Sequence, residues 1–134
     1  KPIMKSEFFL RLPSEDAGPD DAATGQDLLD TLHEHEHECV GLAANMIGVR
    51  KRIICVKDGN RALLMYNPQI LEQVNSYQTS EGCLSLSGER PCTRYRRIKV
   101  EYLDENFVHR IKNFSGYTAE IIQHEIDHCC GIVI

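Results

Sequence analysis

The stretch Gly116-Tyr117-Thr118-Ala119-Glu120-Ile121-Ile122-Gln123-His124-Glu125-Ile126-Asp127-His128-Cys129-Cys130-Gly131 carries both an element and a chemistry. It reads as a closing helix, about Tyr117 to Cys130, with Gly131 as its C-terminal stop. His124 and His128 stand four residues apart, so on a helix they share a face and both imidazoles reach one metal. Glu125 sits beside them, where it can take a proton from a metal-bound water. A metal lowers the pKa of that water towards neutrality and makes a hydroxide nucleophile available. Ile121, Ile122, Ile126, Cys129 and Cys130 surround the pair with the partly dry setting such a centre needs.

The HExxH spacing alone is not specific, because His33-Glu34-His35-Glu36-His37 satisfies it too. That second run closes a helix among charged neighbours and is read as an exposed helix end. A third ligand for the His124 pair must come from elsewhere, with a fourth position left for water. Glu81-Gly82-Cys83-Leu84-Ser85 supplies the candidate, since Gly82 lets the backbone turn and bring the Cys83 thiol close. One thiolate with two imidazoles suits zinc or ferrous iron rather than magnesium or calcium. Cys55, Cys129 and Cys130 are read as packing residues and Cys92 as a loop thiol.

Outward from this helix, the chain reads as one helix followed by several strands. Phe8-Phe9-Leu10 is expected to be an extended arm, followed by a polar loop with Pro13 and Pro19. A helix is predicted over about Asp20 to Glu38, with Leu28, Leu29 and Leu32 as its apolar stripe. Gly41-Leu42-Ala43-Ala44 opens a small-residue turn ending near Gly48. Strands at 52–56 and 62–66 flank Asp58-Gly59-Asn60, which is hairpin chemistry, and Pro68 is expected to cap the second. A further strand is read over Gln73 to Thr79. Ile98 to Leu103 alternates, and Asp104-Glu105-Asn106 turns it back into Val108 to Phe114. Helix, antiparallel strands and helix together indicate an α+β fold, mostly antiparallel sheets packed around the HExxH helix, in a single domain over 1–134.

The 134 residues, 42 % of them apolar, are enough to build a core without disulfides. A net charge of −5 argues against a general nucleic-acid binder. Arg94, Arg96, Arg97 and Lys99 form one basic cluster, read as a solvated face. No apolar run is long enough to span a membrane. The opening Lys1-Pro2-Ile3-Met4-Lys5 lacks a signal-peptide core, and Met4 is not taken as the initiator, so a residue or two is expected upstream. The six cysteines are therefore expected to be reduced thiols in a cytoplasmic protein.

Three ordered segments resemble the peptide deformylase family, whose motifs are G-φ-G-φ-A-A-x-Q, E-G-C-φ-S and Q-H-E-φ-D-H (φ, apolar). Here they stand as Cys39 to Met46, Glu81 to Ser85, and Gln123 to His128, and the last two match fully. The resemblance covers roughly Asp27 to Ile134. It implies hydrolysis of the N-formyl group from the initiator methionine of nascent peptides, with release of formate. It further implies Cys83, His124 and His128 as metal ligands, with Glu125 as general base and then as acid toward the leaving amine. The Leu84 N–H would donate to the oxyanion, Gly41 would pair with the substrate as an added strand, and Arg90 would contact the substrate backbone. Fe(2+) is the implied native metal, with Zn(2+), Ni(2+) or Co(2+) as substitutes. Formylated nascent N-termini are the implied partners. The ribosome stays an open partner, because many members run past the position of Ile134 into a helix that in some aids docking there.

Three departures bear on activity. Met46 stands where the family has a glutamine that donates to the oxyanion, and a thioether cannot donate. Losing one such donor typically costs about 10²–10³ in rate. Asn45 is adjacent and could substitute only by pointing the same way. Cys39 replaces the first glycine and would be strained if that position needs a positive φ. Ser87 stands where proline is common, a change expected to be harmless. The functional alternatives are an active deformylase, a metal-keeping relative with a binding or regulatory role, and a different amidohydrolase or peptidase.

Overall fold

The computed structural model describes residues 2–133, so readings that turn on Lys1 or Ile134 lie outside the described residues. Its elements in chain order are α1 (Glu7–Leu10), α2 (Ala22–Glu34), β1 (Gly41–Ala43), β2 (Ile53–Asp58), β3 (Arg61–Glu81), β4 (Arg90–Leu103), β5 (His109–Ser115) and α3 (Gly116–Cys129). Short 3₁₀ turns at Pro19–Asp21 and Ala44–Ile47 lead into α2 and out of β1. The strands form one antiparallel sheet in the order β1-β2-β3-β4-β5. Leu28 and Leu32 of α2 and Ile122 of α3 are buried in one core with Ile53, Ile54, Val56, Met65 and Val100. The α+β architecture around the HExxH helix is as expected. Among the described residues no helix is long and apolar enough to cross a membrane.

Several boundaries differ from expectation for identifiable reasons. Phe8-Phe9-Leu10 is helical rather than extended, because Ser6 caps the turn and accepts from the Phe9 N–H at 3.2 Å. The helix expected over 20–38 is α2 alone. Past Glu34 the His/Glu run offers no apolar face to hold further turns against the core. Pro68 does not end its strand: β3 runs through it at a register break between Tyr66 and Gln69. Asn67 adopts φ 54° there, and its side chain bonds the Ala17 N–H and C=O, so a residue without a donor falls where no ladder bond is needed. The strands read at 73–79 and 98–103 are parts of the long β3–β4 pair, which continues to Glu81↔Arg90. The hairpin between Asp58 and Arg61 turns on Gly59 at φ 65°. All six cysteines are free thiols, as expected.

Candidate metal centre and its cavity

Two side-chain amides pin the HExxH turn of α3 to the rest of the fold. Gln123 Nε2 donates to Tyr95 O and Gln123 Oε1 accepts from the Tyr95 N–H, both at 2.8 Å, so one side chain substitutes for a strand partner on β4. Asn45 Nδ2 donates to the carbonyl of His128 at 2.9 Å from the other side. Asn45 is therefore engaged with the helix backbone and does not line the cavity, which removes it as a stand-in oxyanion donor.

Between these anchors His124, Glu125 and His128 are buried, with one ligand atom from each lying within 4.8 Å of the others. The Nε2 atoms of His124 and His128 are 3.0 Å apart, with the rings edge to face. Two buried imidazole nitrogens turned to one point fit a shared cation better than they fit each other. Glu125 Oε1 and His128 Nδ1 are buried without a hydrogen-bond partner among the described residues, a further sign that the donor set is arranged for something other than itself. Burial, helped by His124 and Arg94, pushes His128 down to about 3, which keeps its ring neutral as a ligand must be. Burial likewise raises Glu125 to about 7, against the opposing pull of His124, into the range that suits a general base at neutral pH.

His124 is oriented from behind. Its Nδ1 lies 2.7 Å from Glu81 Oε1, which makes Nδ1 the donor and leaves the Nε2 lone pair for a metal. Burial disfavours the charged ring, but the Glu81 hydrogen bond together with the negative charges of Glu125 and Glu81 outweighs it, and the net shift of His124 is upward. Glu81 is held in turn by Arg94, whose Nη2 reaches Oε1 at 2.7 Å while Nη1 reaches Asp127 Oδ2 at 2.7 Å. Burial alone would raise the Glu81 carboxyl; the hydrogen bonds from His124 and Arg94 hold it well below the usual carboxylate range. This corrects the reading of the basic cluster. Arg94 is 4 % exposed and structural, Arg96 stacks over the Tyr77 ring, and Lys99 pairs with Glu72. Arg94 was not legible because its two acidic partners are 13 and 33 residues away.

A cavity of about 800 Å³ opens onto His124 and Glu125. Cys83, Leu84, Gly41, Met46 and Cys39 line it, so five residues singled out in the sequence meet there. Cys83 reaches the cavity on the loop after β3 but does not belong to the tight His124–Glu125–His128 group. Arg90 does not line the cavity; it opens β4, with Nη2 3.9 Å from Glu7. Gly41 has a packing role of its own. A Cβ there would stand 2.6 Å from Ile121 Cγ2 and 3.0 Å from Glu125 Oε2, so the bare backbone is what lets α3 seat Glu125. Cys39 has no positive φ and hence no strain of that kind, and burial first, then Glu125, raises its thiol to about 11. The rival HExxH is dissolved by geometry, since α2 ends at Glu34 and the side chains of His33 and His37 are 82 % and 94 % exposed. Glu36, His37 and Glu38 nevertheless line the cavity, a placement that no sequence signal announced.

A buried HExxH helix with a carboxylate-backed histidine, packed against an antiparallel sheet and opening on a cavity, defines the class of metal-dependent hydrolases. The model of the polypeptide deformylase family matches residues 6–134. The chain belongs to that family. A peptide deformylase of Clostridium beijerinckii is 51 % identical over 134 residues, covering 100 % of this chain and 98 % of that protein. Peptide deformylase 1 of Clostridium perfringens is 38 % identical over 111 residues, 81 % of this chain and 74 % of that one. Among solved structures, the actinonin-bound class I type b peptide deformylase of Acinetobacter baumannii superposes with a TM-score of 0.87 at 31 % identity, covering 98 % of this chain and 93 % of that one. The Thermus thermophilus peptide deformylase gives 0.86 at 33 %, covering 98 % and 81 %.

Proposed function

We propose that this protein hydrolyses the N-formyl group from the formyl-methionine of nascent peptides, releasing formate. The observation that carries the reading is the pair of converging Nε2 atoms beside a buried, unpartnered Glu125 carboxylate at the foot of a peptide-sized cavity. His124 and His128 would hold the metal, with Cys83 as third ligand from the cavity wall. Fe(2+) is the proposed native ion, and Zn(2+), Ni(2+) or Co(2+) the substitutes, because one thiolate and two imidazoles suit these soft-to-borderline metals. The metal, when bound, supplies an acidified water. Glu125 takes the proton of the attacking water and returns it to the amine that leaves. The Leu84 N–H faces the charge that develops on the formyl oxygen. The peptide lies along the edge strand β1, whose outer side is free of the sheet, with Gly41 leaving room. Arg90 would join in only by releasing Glu7. Nascent N-termini would be met at the ribosome, and co-sedimentation with ribosomes reads that out.

The purely binding alternative raised by Met46 is not favoured, given a 51 % identical deformylase spanning the whole chain. The test is formate release from formyl-Met-Ala-Ser by iron-reconstituted protein. Glu125→Ala should retain metal and fold and lose hydrolysis by at least about 10²-fold. A variant as active as the parent would remove Glu125 from the mechanism.

A further inference from the structure

The N-terminal segment ties together the two loops from which an oxyanion donor is expected. The Met4 N–H donates to Met46 O at 2.7 Å, and Lys5 Nζ donates to Leu84 O at 2.9 Å. Lys5 also lines the cavity with Met46, Leu84, His124 and Glu125. Met46 has no donor, and its Sδ accepts from the Ala43 N–H at 3.4 Å. The Asn45 amide is committed to His128. An ammonium carries three N–H donors, and the contact with Leu84 O uses one. The free donors of Lys5 are thus anchored on the carbonyl of the residue whose N–H is assigned, as part of the proposed function, to the oxyanion.

We propose that Lys5 supplies the second, cationic donor to the oxyanion, replacing the side-chain amide that position 46 lacks. The inference rests on the deformylase reading above. As the water oxygen bonds to the formyl carbon, the carbonyl π pair moves onto the formyl oxygen. Lys5 and the Leu84 N–H then hydrogen-bond that oxygen without transferring a proton. When the carbonyl re-forms, the C–N bond breaks and the amine takes its proton from Glu125. A charged donor makes a stronger bond than a neutral amide, so one lysine can offset the missing glutamine.

The test is a double-mutant cycle on metal-reconstituted protein with formyl-Met-Ala-Ser, comparing the parent, Lys5→Met, Met46→Gln and the double variant, each checked for metal content and melting temperature. Lys5→Met should lower kcat by about 10²-fold with KM little changed and metal content intact. Met46→Gln should raise the parent's kcat by a small factor and that of Lys5→Met by a much larger one. Lys5→Gln, which can keep the bond to Leu84 O without the charge, should fall below the parent. If Lys5 only braces the loop, Lys5→Gln runs at the parent rate and the two changes combine independently; either result overturns the proposal, as does Lys5→Met at parental kcat. A parent that turns over with an inert Lys5 rejects this inference alone, whereas a metal-loaded parent that releases no formate rejects the deformylase reading with it.

Discussion

At Glu81, a single carboxylate accepts from His124 Nδ1 and from Arg94 at once, with side chains only 9 % and 5 % exposed for Glu81 and Arg94. Removing one partner of such a pair leaves an uncompensated buried charge. Arg94→Met should therefore cost about 3–5 kcal/mol, a drop in melting temperature on the order of 10 °C at pH 7. It should also loosen His124 and weaken metal affinity by about 10–100-fold, measured by competition with a chelator. The pH dependence has a definite sign. Because the folded carboxyl titrates below its unfolded value, its stabilisation is complete above the ordinary carboxylate pKa of about 4.3 and is lost as pH falls toward the folded one. The gap in melting temperature between the parent and Arg94→Met should accordingly narrow on acidification below about pH 4. A constant gap would mean that Glu81 is not the group Arg94 serves.

Between elements, the contact of α3 with β1 is made where Glu125 lies against the Cα of Gly41. A methyl group there would overlap Ile121 and crowd Glu125 Oε2. Gly41→Ala should cost about 1–3 kcal/mol through overpacking. It should lower kcat as well, because the methyl group displaces the Glu125 carboxylate, and the loss should appear even with a small substrate that never contacts β1. Unchanged kcat on a formylated single amino acid, with only KM raised on longer peptides, would confine Gly41 to substrate pairing. The other end of α3 is closed by Gly131 at φ 77°, with the Ile132 N–H returning to Asp127 O at 2.9 Å. Gly131 also packs against the backbone carbonyl of Arg11, so the stop signal in the sequence doubles as a docking point for the N-terminal segment.

Across the whole molecule, the metal would join segments far apart in the chain, Cys83 after β3 with two histidines of α3. A ligand that binds only the folded state stabilises it by mass action, about 4 kcal/mol at a thousandfold excess over its Kd. Iron- or zinc-loaded protein should melt well above chelator-treated protein, and re-addition should restore the difference. Cys83→Ser should shrink that increment sharply. An increment of parental size would show that the thiol is not a ligand and that the His124–Glu125–His128 group binds by itself.

The sequence by itself determined the HExxH helix and the hairpin, because period, spacing and turn residues are local properties of the chain. It also carried the three ordered motifs and the odd residue among them, Met46. What it misread were long-range outcomes. Arg94 looked like surface charge until β3, β4 and α3 brought Glu81 and Asp127 to it. Asn45 was a donor only on condition of pointing with Met46, and the fold instead gives its amide to the carbonyl of His128. Lys5 carried no reading of its own, and only the docking of the N-terminal segment sets it beside Leu84. The HExxH at His33 was told from the one at His124 by the apolar residues around it, and the structure supplies the reason: α2 stops where burial stops. Only tertiary packing decides which histidines keep their helical spacing, since a helix turn persists where a core holds one of its faces.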